Sequence, residues 1–401
     1  VDIDLSSSKK AVIEHLNHVY SISSDEAKKA IALAKLSSDM IQKLEADRTE
    51  YEEFFTRSRQ LVFGTCVGIG GYHLNISKTH YDWVIIDEAA RSTASELAIA
   101  MQSGKRILLV GDHKQLPPLY KDHDKSKLAM ELGVTTKDID FNKIYQSDFS
   151  RLFESPYGKQ IGVTLTTQYR MAPEIGDLVS DVFYDGKLKN GNRQIPNIYQ
   201  TAPIAFNSAV TWVDTSTLGS RSYHQQQSRG TSLFNNSEAN IIVDLLKQAS
   251  EDNGFLASLS SIVKKDEPAL GVICMYAEQK RIIQQKFREH IWADEFKSLV
   301  KIDTVDSYQG KENRVIILSV TRCDESSSAG FLSMPNRINV ALSRAMDRLI
   351  IVGSSTMWEK SNSDLPLGKS LDYIQSRSAH NNGYKVYGVN KDFSLMGDEN
   401  E

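Results

Sequence analysis

Short apolar runs, the first three closed by glycine or an acid, recur along this 401-residue chain. Leu61-Val62-Phe63, Trp83-Val84-Ile85-Ile86 and Ile107-Leu108-Leu109-Val110 come first; Gly271-Val272-Ile273-Cys274, Val315-Ile316-Ile317-Leu318 and Leu349-Ile350-Ile351-Val352 follow. A strand with one face in water alternates apolar and polar residues, whereas a strand covered on both faces does not. Runs of this kind therefore suit a parallel sheet flanked by helices. Helical stretches at 237–250 and 277–289 separate the later runs, so two α/β sheets in tandem are the economical reading.

Ahead of the first run, residues 9–56 keep an approximate 3.6-residue apolar period through Val12, Leu16, Val19 and Tyr20, then Ile31, Ala34, Met40, Ile41, Leu44, Tyr51 and Phe55. Ser24, followed by Asp25 and Glu26, is a helix start between two segments, which predicts an antiparallel helical pair with no chemistry of its own. Residues 121–150 read as polar and irregular, 214–235 as a mobile loop, and the stretch from 377 onward as a loosely ordered tail.

Composition excludes more than it identifies. With 40% hydrophobic and 24% charged residues the chain is globular in type. No run approaches the roughly 18 apolar residues of a membrane span, and the expected compartment is cytosolic or nuclear. Cys66, Cys274 and Cys323 lie too far apart to encode a disulfide framework or a zinc module. A net charge of −4 argues against a general positive field as the means of holding nucleic acid and leaves a local basic groove.

Chemistry concentrates where the apolar runs end. Asp87 and Glu88 directly follow residues 83–86, so two carboxylates stand at the carboxyl end of a buried strand, where α/β proteins bind ligands. In a nucleotide motor the first would hold magnesium and the second would orient the attacking water. The alternative is an acidic pair that ends a strand and caps a helix. The next run leads into Gly111-Asp112-His113-Lys114-Gln115-Leu116-Pro117-Pro118, where the Gln115 amide can bond a γ-phosphate or the attacking water. Otherwise Asp112 and the prolines shape a turn.

Residues 164–173 put Tyr169 and Arg170 between a strand and a helix opening near Pro173, and a guanidinium there suits either a phosphate or a structural ion pair. Residues 300–312 join a strand to a polar glycine turn whose hydroxyls and amides can bind a phosphodiester strand, while Glu312 can take a ribose hydroxyl. Arg337 and Arg344 stand seven apart in a helix, hence on one face, as an arginine finger or as solvated cations.

Taken in order, these segments resemble superfamily 1B helicases, in the branch containing the nonsense-mediated-decay helicase and its bacterial relatives, from about residue 60 to 375. Gly64-Thr65-Cys66-Val67-Gly68 resembles motif Ic, Asp87-Glu88-Ala89-Ala90 motif II and Gly111-Asp112-His113-Lys114-Gln115-Leu116 motif III. Gln168-Tyr169-Arg170-Met171 resembles motif IV, Asp306-Ser307-Tyr308-Gln309-Gly310-Lys311-Glu312 motif V, and Asn339-Val340-Ala341-Leu342-Ser343-Arg344-Ala345 motif VI.

The resemblance implies an α/β fold of two RecA-like (P-loop NTPase) domains, the first incomplete and carrying a helical stalk insertion. Residues 1–57 would be the stalk, 58–155 the remainder of the first domain, 156–376 the second, and 377–401 a tail. It further implies ATP and Mg2+ as cofactors, single-stranded DNA or RNA as partner, and 5′-to-3′ translocation. By resemblance, Asp87 and Glu88 coordinate magnesium and activate water, Gln115 senses γ-phosphate, and Arg170 and Arg344 contact phosphates across the cleft. Asp112, Gln168, Tyr169, Gln309, Gly310, Glu312 and Arg337 would serve the nucleotide pocket, and Thr65 and Thr304 would meet the nucleic-acid strand.

Two departures from the family pattern stand out. Arg91 lies three residues after Glu88, where relatives often carry glutamine, and the phosphate-loop pattern Gly-x4-Gly-Lys-Ser/Thr occurs nowhere. The nearest string, Ser363-Asp364-Leu365-Pro366-Leu367-Gly368-Lys369-Ser370, has serine for the first glycine and no strand leading into it, so it reads as a surface turn opening the last helix. In this family the phosphate loop precedes the stalk. The expectation is that it lies upstream in a longer polypeptide, or comes from another chain, or that turnover has been lost. The competing function is a non-catalytic, helicase-like nucleic-acid-binding or scaffold module. Without the loop amides and lysine nothing in residues 1–401 cradles the β- and γ-phosphates. Purified residues 1–401 should therefore hydrolyse ATP negligibly, and robust strand-stimulated turnover would overturn this expectation.

Overall fold

The computed structural model describes residues 5–45, 51–71, 74–118, 122–136, 146–228, 230–264, 267–308 and 310–396. The chain divides into two compact units, one of residues 1–112 with 118–151, the other of residues 113–117 with 152–401.

The first unit opens with helices α1 (Leu5–Tyr20) and α2 (Ser24–Glu45). Asn17 Nδ2 donates to Ser24 Oγ across the turn at 3.0 Å, and Ser23 N donates to Glu26 Oε2 at 2.9 Å. Strands β1 (Tyr81–Ile86) and β2 (Gly104–Leu109) pair in parallel, Trp83 opposite Arg106 and Ile86 opposite Leu109. Helix α3 (Ala94–Met101) connects them and starts in a capping box, where Thr93 Oγ1 accepts from Glu96 N and Glu96 Oε2 accepts from Thr93 N.

Expectation and structure part company here. The apolar run at 61–63 joins no ladder among the described residues, and Leu61 and Phe63 stand 74% and 87% exposed. A strand exists only where a neighbour takes its N–H and C=O groups, so an apolar run alone does not make one. The runs of β1 and β2 do form strands, yet Trp83, Ile85 and Leu108 are exposed rather than covered. Residues 122–132, read as irregular, are helical.

The second unit forms the parallel sheet that its apolar runs predict. Strands β3 (Val210–Asp214), β4 (Leu270–Cys274), β5 (Val300–Thr304), β6 (Asn313–Ser319), β7 (Ala345–Gly353) and β8 (Tyr384–Gly388) form one parallel sheet in the order β8-β3-β7-β6-β4-β5. Ile316 lies opposite Leu349, and Ile317 opposite Ile350. Alternate side chains enter separate cores. Ile316, Leu318, Leu349 and Ile351 pack with helices α4 (Pro173–Tyr184), α7 (Pro335–Ser343) and α8 (Pro366–Ser378). Val315, Ile317, Ile350 and Val352 pack with α5 (Asn236–Glu251) and α6 (Ala277–Glu289). Each such side chain taken from water contributes about 1.5–3 kcal/mol.

Two other expectations fail in this unit. Residues 214–235 are held rather than loose: Leu218, Ser222 and Leu233 are buried, and Asn235 Nδ2 donates to Ser222 O at 2.7 Å. The stretch from 377 contributes β8, an edge strand whose Tyr384 packs in the core, because β3 offers it a free ladder side.

Asn235 caps α5 and Glu238, three residues on, is fully buried, accepting from Ser319 Oγ at 2.6 Å and Thr321 N at 2.7 Å. Burial outweighs those two donors and pushes its carboxyl up to about 8. The folded chain thus retains a proton that an unfolded glutamate, ionising near pH ~4.3, has released. The stability this confers is complete below that value and is lost as pH rises through about 8. Glu238→Gln is neutral throughout. Urea denaturation should show wild type losing ground to it between roughly pH 5 and 8, then running parallel; a pH-independent difference would contradict the buried acid.

Candidate functional site

At the carboxyl end of β1, Asp87 Oδ1 accepts from Glu88 N at 2.9 Å, and both acids are exposed. Glu88 sits in the left-handed region, φ 53°, before a short helical turn at Ala89–Arg91. A glutamate held there is strained by roughly 1–3 kcal/mol, a mark of sites where side-chain direction matters more than stability. The turn packs close: a Cβ added at Gly111 would lie 2.9 Å from Ala90 N, so only glycine admits this approach of the strand ends. Thr65 caps the short helix Cys66–Ile69, its Oγ1 accepting from Gly68 N at 3.0 Å, with Gly68 leaving room for that hydroxyl.

In the second unit, Arg344, Arg170 and Glu312 gather at the amino ends of β6 and β7, whereas Thr304 stands at the carboxyl end of β5. Arg344 is the C-cap of α7 and leads directly into β7; it is 1% exposed. Its guanidinium donates to Gln115 Oε1 at 2.8 Å and to Lys311 O at 3.2 Å. Arg170 pairs with Glu312, both about half in solvent. The loop carrying Arg170 is clamped by Gln168: its Oε1 accepts from Arg170 N (2.9 Å) and Met171 N (2.8 Å), while Nε2 donates to Met171 O (3.1 Å) and Asn190 Oδ1 (2.8 Å). Gly176, inside α4, makes space for this clamp, since a Cβ there would lie 2.1 Å from Asn190 Oδ1. Tyr169 rests against Gly191 and is 68% exposed.

The segment resembling motif V runs from one end of the sheet to the other. Thr304 ends β5, its Oγ1 donating to Ser307 Oγ at 3.2 Å, whereas Lys311 and Glu312 lie where β6 begins. Gly310 takes φ 74°, a turn that suits glycine; Gln309 lies outside the described residues. Burial first, and the neighbouring Lys311 second, hold the Lys301 ammonium below its ordinary range. Arg337 does not share Arg344's partners. The helix ends at Ser343, and Arg337 turns to Asp306 Oδ2 (3.1 Å) and the Phe331 ring.

The string at 363–370 opens α8, as expected; Gly368 is there because a Cβ would lie 2.2 Å from Asn362 O. Sequence reading missed Asn190 and Gly176 and gave Asn336 and Asn339 no role. A glycine in mid-helix was the one signal available, since helix propensity disfavours it.

Two family models, each described as an AAA domain, match residues 144–356 and 3–123. The chain is 30% identical over 308 residues to the ATP-dependent helicase NAM7 of Saccharomyces cerevisiae, covering 73% of this chain and 28% of that protein. It is 31% identical over 332 residues to the Regulator of nonsense transcripts 1 homolog of Arabidopsis thaliana, covering 81% and 24%. With the DNA replication ATP-dependent helicase/nuclease DNA2 of Saccharomyces cerevisiae it shares 26% identity over 324 residues, covering 76% and 19%. The chain spans about a quarter of the length of these curated relatives.

The four bonds of the Gln168 amide make it a loop clamp in its own right. Gln168→Ala should lower the stability of the folded chain by about 1–3 kcal/mol in urea, because two buried-loop N–H groups lose their acceptor. An unchanged midpoint would mean that the amide is held for a ligand and not for the loop.

Proposed function

This chain belongs to the superfamily 1B helicases, in the branch of the nonsense-mediated-decay helicase, with the RecA-like α/β fold of that family, and on that premise we propose that it is the motor portion of an ATP-dependent translocase moving 5′ to 3′ on single strands. The observation that carries the proposal is the pairing of Arg344 with Gln115: a nearly dry guanidinium and an amide, both of residue types that bind a terminal phosphate, already in contact at 2.8 Å. Arg170 and Glu312 supply a second, half-exposed pair that nucleotide can part, the arginine turning to phosphate and the carboxylate to a ribose hydroxyl. The exposed Tyr169 ring offers a base a stacking face.

Asp87 and Glu88 fit a hard cation, being exposed carboxylates at a strand's carboxyl end, with Asp87 oriented by the Glu88 amide. Bound Mg2+ and ATP would supply the transferable phosphoryl group and neutralise its charge. Asp87 would hold the ion and Glu88 would orient the attacking water. The phosphate loop is proposed to lie outside these 401 residues, in a longer polypeptide or a partner chain. The uncovered apolar side chains Leu61, Phe63, Trp83 and Ile85 support this, since further chain would bury them. Thr304 and Thr65 would meet the backbone of the strand, a feature DNA and RNA share.

The test uses the full-length polypeptide. Arg344→Ala should cut strand-stimulated ATP hydrolysis by roughly 10³-fold or more, while nucleotide-free affinity for a single strand stays near wild type at one fixed salt concentration. Arg344→Lys, which retains the charge without the planar fork, should be nearly as slow, separating chemistry from a folding failure. Loss of strand binding with turnover intact would move Arg344 to the nucleic-acid groove and refute the assignment.

A further inference from the structure

Three successive backbone carbonyls of the segment bearing Gln115 accept hydrogen bonds from two asparagines of one helix. Asn336 Nδ2 donates to His113 O at 3.2 Å and to Gln115 O at 2.6 Å; Asn339 Nδ2 donates to Lys114 O at 2.9 Å and to Tyr184 Oη at 2.9 Å. A side-chain amide has two N–H donors, and both are engaged in each residue. The asparagines are three apart on α7 and so share a face. Asparagine is an indifferent helix former, so the helix does not account for them. On either side the segment is anchored by apolar contact: the His113 ring lies 5.0 Å from that of Phe153, and Leu116 is 5% exposed in the core shared with α4 and α7. Between those anchors, the asparagine amides hold the Lys114 and Gln115 backbone.

We propose that Asn336 and Asn339 are positioning residues, a latch that fixes the 113–115 backbone on α7 so that Gln115 Oε1 is presented to Arg344. The proposal rests on the functional reading above and deepens it. Arg344 follows α7 directly, so the latch and the arginine share one rigid frame. A terminal phosphate then meets the amide and the guanidinium at a preset separation rather than recruiting each from a mobile loop. Positioning of this kind acts in the transition state, and its loss lowers kcat more than it raises KM.

Asn336→Asp is the discriminating variant, because it retains the shape but turns an oxygen toward two carbonyl oxygens. An acid in the first turn favours a helix by itself, so loosening of the segment could not be charged to α7. In the nucleotide-free, full-length protein, hydrogen exchange of the backbone amides in 113–117 should accelerate at least about tenfold in Asn336→Asp and less in Asn336→Ala, with β7 unchanged. Turnover should follow the same order, with kcat down by about tenfold in the Asp variant and KM for ATP within about twofold. Equal behaviour of Asp and Ala, or unchanged exchange in Asp, would overturn the latch and leave a space-filling contact. If the wild type hydrolyses no ATP, the functional reading fails while the exchange measurement still decides the latch. If the wild type is active and exchange in Asp is unchanged, the latch alone fails.

Discussion

Covering β6 and β7 on both faces keeps the middle of these two strands from water, and their polar chemistry is thereby confined to the strand ends. Ile316 and Ile317, adjacent in sequence, enter opposite cores, as do Leu349 and Ile350. Every side chain along the middle of these strands is committed to packing. At the amino ends of the two strands the guanidinium of Arg344 enters a position almost without water. A charge so placed is tolerated only where oxygens meet its donors, and Lys311 O and Gln115 Oε1 do so. The buried arginine thus dictates which loops must lie beside it.

The same rule organises a second buried charge. Asp347, fully buried near the start of β7, is met by Arg193 and Arg314 and by the Tyr199 hydroxyl at 2.9 Å. Burial first, and that carboxylate second, hold the tyrosine well above its ordinary range. Such clusters add little net stability over an apolar replacement, but removing one partner is costly. They specify arrangement: this one ties the 193–199 stretch to the sheet. Glu238 has no comparable escort and keeps its proton instead.

Legibility followed periodicity. The runs at 271–274, 315–318 and 349–352 and the helices at 237–250 and 277–289 are where sequence put them, because parallel strands and amphipathic helices write their burial into consecutive residues. The run at 61–63 has the same writing and no ladder, and the polar stretch at 214–235 lacks it yet is buried in part. Composition cannot distinguish these, because a ladder or a buried loop depends on a neighbour distant in sequence. Glycines were legible as breakers but not as spacers: Gly176 reads as a weak point in a helix, and its reason is Asn190.

The sequence alone determined the class of fold and the residue types of the candidate site, since unbroken apolar runs admit few architectures and Asp87, Glu88, Gln115, Arg170 and Arg344 occur in a recognisable order. It could not say who touches whom. Seven residues of spacing put Arg337 and Arg344 on one helical face; the helix ends at Ser343, and they meet different partners. Gln115 and Arg344, 229 residues apart, meet because the segment at 113–117 packs with α7. Local pattern is set by which side chains must leave water, and that is written residue by residue. Contact across hundreds of residues is set by how whole elements stack, and only the folded sheet decided it.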